Sequence, residues 1–156
     1  MLRYEASISR NIFKIVLIVV TVASLFINSD LALAQSQQTG NNIEVGQEIY
    51  LKNCSSCHIP IAGEVLPTET WRALLSNPQQ HYGESLPKMV GLTQYLMWQY
   101  LSTHSRSLLK DEPLPMYIAN SRYFKALHPQ VELPKPANIQ TCASCHPNAN
   151  KLDYRL

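Results

Sequence analysis

Cys54-Ser55-Ser56-Cys57-His58 and Cys142-Ala143-Ser144-Cys145-His146 share the pattern C-x-x-C-H. Together they use all four cysteines and two of the five histidines. Two thiols three positions apart can add to the two vinyl groups of one porphyrin, and the adjacent histidine then sits beneath the iron as an axial nitrogen. The pattern is the attachment signature of a c-type haem. Cys54, Cys57, Cys142 and Cys145 are therefore expected to carry two covalent haems, with His58 and His146 as proximal iron ligands. Two disulfides, or one Zn²⁺ held by both pairs, are the rival uses of four cysteines. The zinc reading leaves the histidine after each pair unexplained. A thioredoxin-like role needs a βαβ context, which is not visible.

The far side of each iron needs a second ligand or stays open. The candidates are His81, His104, His128, Met89, Met97 and Met116. A His/His pair gives a low-potential haem, and Met/His raises the potential. Each candidate also has a structural reading. His81 suits an exposed loop. His104 and His128 sit where a histidine can bond the last carbonyls of a helix. Met89 and Met97 share an apolar helix face and suit core filling. Met116 follows Pro115, as in some small monohaem cytochromes.

The elements around these residues are short. Arg3, Arg10 and Lys14 precede an apolar run from Ile15 to Ile27, followed by Asn28-Ser29-Asp30 and Ala32-Leu33-Ala34. This pattern is a secretory signal peptide over residues 1–34, cut after Ala34. The run is shorter than the roughly 20 residues that span a bilayer, which disfavours an uncleaved anchor. Export agrees with haem attachment outside the cytoplasm. Removing Arg3, Arg10, Lys14, Glu5 and Asp30 lowers the formal charge from +2 by one unit. No basic footprint for nucleic acid remains. Residues 35–42 are polar and read as a disordered leader. Residues 43–156 read as a single domain whose interior is largely haem.

Within that domain, 43–53 reads as a short helix with Ile43, Val45, Ile49 and Tyr50 buried. Leu66-Pro67-Thr68 starts a second helix with Thr68 as N-cap. Trp71, Leu74 and Leu75 form its apolar face, and Asn77-Pro78 ends it. Residues 79–84 fit a helical turn or a loop. A longer helix is expected over 89–104, with Met89, Val90, Leu96, Met97, Tyr100, Leu101 and His104 on one face and Gly91 weakening its first turn. Residues 105–118 read as an irregular linker, and 121–128 as a short helix closed by Pro129. Pro134 and Pro136 favour an extended segment before the second motif. No strand of useful length is visible. The fold class is therefore mostly α, with short helices and long irregular loops wrapped around two covalent haems. Only ten residues follow His146, so the central segment must cover the second haem. One shared unit is favoured over two tandem domains.

The order of these features resembles a known family. Cys54-Ser55-Ser56-Cys57-His58, then Leu66-Pro67 with Trp71, then His81-Tyr82-Gly83-Glu84, is similar to the N-terminal half of the DHC-type dihaem cytochromes c. Tyr123-Phe124 with His128, then Cys142-Ala143-Ser144-Cys145-His146, resembles their C-terminal half. The resemblance spans residues 48–147. It implies a small, mostly helical dihaem cytochrome c with both irons bis-histidinyl. His81 and His128 match the distal positions, His81 on the first haem and His128 on the second. His104 falls where the family need not have a histidine. The Tyr-, Gln- and Pro-rich middle resembles cyanobacterial members, in keeping with a periplasmic or thylakoid-lumen location.

The resemblance implies outer-sphere electron transfer between redox partners, with no catalytic residue. Some family members pass electrons to a small oxygen-binding monohaem cytochrome, and some accompany membrane cytochromes b. The rival reading is a haem enzyme, a peroxidase or small-oxide reductase, or a ligand-binding cytochrome. Either needs one open or labile distal site, and an enzyme would draw on Tyr82, Glu84 or Arg122 for proton transfer. Dihaem peroxidases are much longer chains. A subunit docked on a membrane complex is a third possibility.

Overall fold

A computed structural model of the chain describes residues 16–21, 35–133, 135 and 138–156. It divides into two units, Met1–Gly40 and Asn41–Leu156. In the first, residues 16–21 and 35–40 are helical and exposed. Most of the expected signal peptide, including Ala32-Leu33-Ala34, lies outside the described residues. Residues 35–42 are helical, not the disordered leader their polarity suggested. Glutamine is a good helix former and no proline interrupts the segment. Its lack of apolar groups shows up as exposure instead of as loss of helix. Among the described residues no helix is long and apolar enough to cross a membrane.

The described residues of the second unit hold four helices: α1 over 41–54, α2 Thr68–Ser76, α3 Leu92–His104 and α4 Arg122–Leu127. Short 3-10 turns lie between and after them, Ile139–Ser144 being the longest. Among the described residues the β-type pairing is a single bridge between His81 and Glu84. Tyr50, Leu66, Trp71, Leu75, Met97, Tyr100, Leu101 and Phe124 form the core. On α1 the buried positions are Gly46 and Tyr50, flanked by partly buried Ile43 and Ile49. Val45, expected inside, is exposed. It lies one residue, about 100°, off the face that Ile43, Gly46 and Tyr50 share. A Cβ at Gly46 would land on the Leu96 carbonyl and 3.0 Å from the Tyr100 Cβ. Glycine is what lets the α1 and α3 backbones approach so closely.

Two expected helix starts are displaced. α3 begins at Leu92 instead of 89, because Gly91 adopts φ 63°, ψ −133° and ends any helical run through it. Val90 is accordingly exposed and Met89 partly buried. α2 has Pro67, not Thr68, at its N-cap. Thr68 lies in the first turn with its hydroxyl 2.8 Å from that of Ser105. Pro134 and Pro136 lie outside the described residues.

The loop that leaves the first motif runs through the interior. Pro60, Gly63, Val65, Leu66 and Pro67 are buried, so their backbone polar groups need partners away from water. Side chains from distant elements supply many of them. The Tyr50 hydroxyl donates to the Ile61 carbonyl at 2.7 Å, and the Trp71 indole to that of Gly63 at 2.9 Å. Tyr154 donates to Pro60 at 2.6 Å, and Ser121 to Val65 at 2.5 Å. Ser121 also caps α4, accepting from the Phe124 N–H at 3.4 Å. Ser121→Ala removes both bonds at a fully buried site and leaves the Val65 carbonyl unpaired. We expect a loss of about 1–3 kcal/mol, read as a lower urea midpoint with the haem spectrum unchanged.

Candidate haem sites

The first motif sits where α1 ends. Cys54 closes the helix, and Cys57 and His58 follow in a turn. The Ser55 hydroxyl holds the last turn by donating to the Leu51 carbonyl at 2.6 Å. The second motif occupies the 3-10 turn Ile139–Ser144, started by Asn138, whose side chain accepts from the Gln140 N–H. His146 closes that turn through its N–H on the Cys142 carbonyl at 2.9 Å. All four cysteines are free. Among the described residues no three His, Cys, Asp or Glu side chains converge on one metal position. The two pairs are therefore not drawn together, among the described residues, as a shared zinc cage would require. Burial pushes the Cys54 thiol up to about 11, with Cys57 adding to it, and also raises the Cys142 thiol. Those surroundings favour a neutral sulfur, thiol or thioether, over a thiolate.

Each proximal histidine faces a second histidine from the central segment. The rings of His58 and His81 have near-parallel planes, 14° apart, with centroids 6.1 Å apart. Those of His128 and His146 are 6.2 Å apart at 66°. Two metal–imidazole bonds of about 2 Å each, plus roughly 1 Å from nitrogen to ring centre on either side, span about 6 Å. Both gaps thus fit one iron between two imidazoles. The free cysteine pair beside each proximal histidine fits a porphyrin held by thioethers.

The distal histidines are delivered differently. His81 opens a tight turn, donating from its N–H to the Glu84 carbonyl and accepting from the Glu84 N–H. Tyr82 and Gly83, at φ 52° and 95°, are the two positive-φ residues that a type I′ turn requires. Tyr82 pins the turn by donating its hydroxyl to the Met116 carbonyl and packing on Tyr117. Burial, and then His58, lower the pKa of His81, favouring the neutral imidazole that can bind a metal. His128 caps the C-terminus of α4, its Nδ1 2.8 Å from the Phe124 carbonyl. That bond orients the ring and leaves Nε2 for a metal. His58 is held likewise, with Nδ1 2.8 Å from the Ile59 carbonyl.

The other candidates have structural places. His104 repeats the local geometry of His128, with Nδ1 2.8 Å from the Tyr100 carbonyl, but its ring contact is with Tyr100, not with a second histidine. Met97 is fully buried in the core. Met116 uses its carbonyl to hold Tyr82. The hydroxyl of Tyr82 is thereby committed, and Arg122 lies 3.8 Å from Glu112. Tyr154 is the residue that sequence reading missed. Its ring packs edge-on against His146 with centroids 5.5 Å apart, while its hydroxyl reaches the first motif's exit loop at Pro60. A tyrosine within eight residues of a C-terminal C-x-x-C-H was the available signal. The tail after His146 therefore shares in covering the second site, alongside the central segment.

A small helical unit with two C-x-x-C-H turns, each opposed by a second imidazole, defines a c-type cytochrome with two haem sites. The chain belongs to the dihaem cytochrome c family, whose model it matches over residues 50–154. It accordingly carries two covalent haems, and the spacing of Cys54 with Cys57 and of Cys142 with Cys145 fits their attachment. The fold is similar to that of the diheme cytochrome c from Rhodobacter sphaeroides, with a TM-score of 0.51 and 22% identity, over 67% of this chain and 93% of that one. It is also similar to a diheme cytochrome type c from Shewanella baltica OS155, with a TM-score of 0.47 and 22% identity, over 68% and 85% of the two chains. No curated protein matches the chain.

Proposed function

We propose that this protein is an exported electron carrier whose two haems are both bis-histidinyl, His58 with His81 and His146 with His128. The observation that carries the reading is the spacing of the two imidazole pairs, 6.1 and 6.2 Å between centroids. A ligand on each face leaves no position for substrate, so the chemistry is outer-sphere transfer with little rearrangement at iron. The haem supplies the electron. The chain holds both axial nitrogens in place through the His81–Glu84 turn, the α4 C-terminus and the carbonyls of Ile59 and Phe124. Partner contacts are brief and small.

The signal-peptide pattern of residues 1–34 supports export to a periplasm or thylakoid lumen. Family resemblance supports a small oxygen-binding monohaem cytochrome or a membrane cytochrome b as partner. Cleavage after Ala34 would leave a mature chain of residues 35–156, with 43–156 as the haem domain. The rival enzymatic reading needs an open iron. Carbon monoxide added to the reduced holoprotein tests this directly. We expect no shift of the Soret band, because both sixth positions are taken. A carbonyl adduct on one haem of the unmodified protein would overturn the assignment.

A further inference from the structure

We propose that the two haem sites are built unequal, with the second at the higher potential, and that Tyr154 is the positioning residue that maintains the difference. This rests on the bis-histidinyl reading above and concerns how each histidine is held.

The first difference is ring orientation. The imidazole planes are 14° apart in the first pair and 66° apart in the second. Parallel rings donate π density into the same iron d orbital and split it from its partner. Rings near a right angle act on two different orbitals and leave them close in energy. In low-spin ferric iron the single hole occupies the raised orbital, so a wide splitting stabilises the ferric state. Ferrous iron fills the set and gains nothing from the splitting. The first site therefore holds its haem oxidised more strongly than the second.

The second difference is hydrogen bonding. A ring N–H donated to a carbonyl makes a ligating histidine more basic and favours ferric iron. His58 and His128 both have such a bond. Their partners differ. His81 has no ring nitrogen that is both buried and without a partner. His146 Nδ1 is, among the described residues, the one side-chain nitrogen or oxygen buried with no hydrogen-bond partner. Without a carbonyl on that nitrogen, the ring lacks the hydrogen bond that would make it a stronger donor to ferric iron, which also raises the potential of the second haem.

Tyr154 links the two features. Its ring packs edge-on against His146, at 71° between planes, and its hydroxyl is committed to the Pro60 carbonyl at 2.6 Å. The ring blocks rotation of the imidazole toward its partner's plane. The hydroxyl, tied elsewhere, gives Nδ1 no acceptor.

An EPR-monitored redox titration of the holoprotein tests this. Two low-spin ferric signals are expected: a rhombic one from near-parallel ligands and a highly anisotropic one, with a single large g value, from twisted ligands. On stepwise reduction the anisotropic signal should vanish first. His128→Ala should remove the anisotropic signal and His81→Ala the rhombic one. Tyr154→Phe keeps the ring and should keep both signals. Tyr154→Ala should convert the anisotropic signal to a second rhombic one and narrow the gap between the two reduction steps. Two rhombic signals in the unmodified protein, or loss of the anisotropic signal last, would overturn the proposal. So would an unchanged spectrum and unchanged gap in Tyr154→Ala. A high-spin signal in the unmodified protein is a different failure, because it removes the bis-histidinyl reading beneath the proposal.

Discussion

His81→Ala should convert the first haem from low-spin to high-spin, remove about half of the low-spin ferric signal, and open one carbon monoxide site per chain. His128→Ala should do the same at the second haem. The effect is all-or-none at one iron because each distal position depends on one side chain. Little else should change in His81→Ala. Its turn is held by the backbone bonds between His81 and Glu84 and by the Tyr82 hydroxyl on Met116, none of which uses the imidazole. His128→Ala also loses the Nδ1 bond to Phe124, a cost of about 1 kcal/mol, which is small beside the loss of an axial ligand. Retention of both low-spin signals in either variant would show that the ring it lacks is no ligand.

Cys142→Ala with Cys145→Ala should leave the denatured protein with one covalent haem instead of two, read as the loss of one haem mass after acid extraction. Folding should suffer as well, because a haem site exists only in the folded chain and its binding energy stabilises that chain. His146 and Tyr154 would lose the group they pack around at the second site. A clear drop in melting temperature should therefore accompany the mass change. Extracted protein that still carries two haems would contradict attachment at this motif.

Much of this was legible from local chemistry. The cysteine pairs and proximal histidines announce themselves because thioether attachment fixes their spacing along the chain. The apolar faces of α2 and α3 follow from helical period, with Trp71, Leu75, Met97 and Leu101 buried as the spacing implies. Distal positions are harder. Tyr100 with His104 and Phe124 with His128 share one pattern, an aromatic four residues before a histidine at a helix end. Both histidines bond the carbonyl at i−4. What separates them is a second imidazole across the gap, which depends on tertiary structure and has no local signature. Resemblance to the family, not periodicity, singled out His128. Gly46 was invisible for a related reason, since a close helix crossing is a property of two elements at once. The helix over 35–42 was missed because polarity was read as disorder, although glutamine is compatible with helix.

The tie between Tyr154 and Pro60 joins residues 94 apart, nearly the whole span of the second unit. Contacts at such separation close late and slow folding. Until this one forms, the Pro60 carbonyl in the exit loop of the first motif is left to water. Tyr154 also packs on His146, so one residue carries both the loop of the first motif and the histidine of the second. Closure of the first motif's loop is thereby tied to completion of the second site.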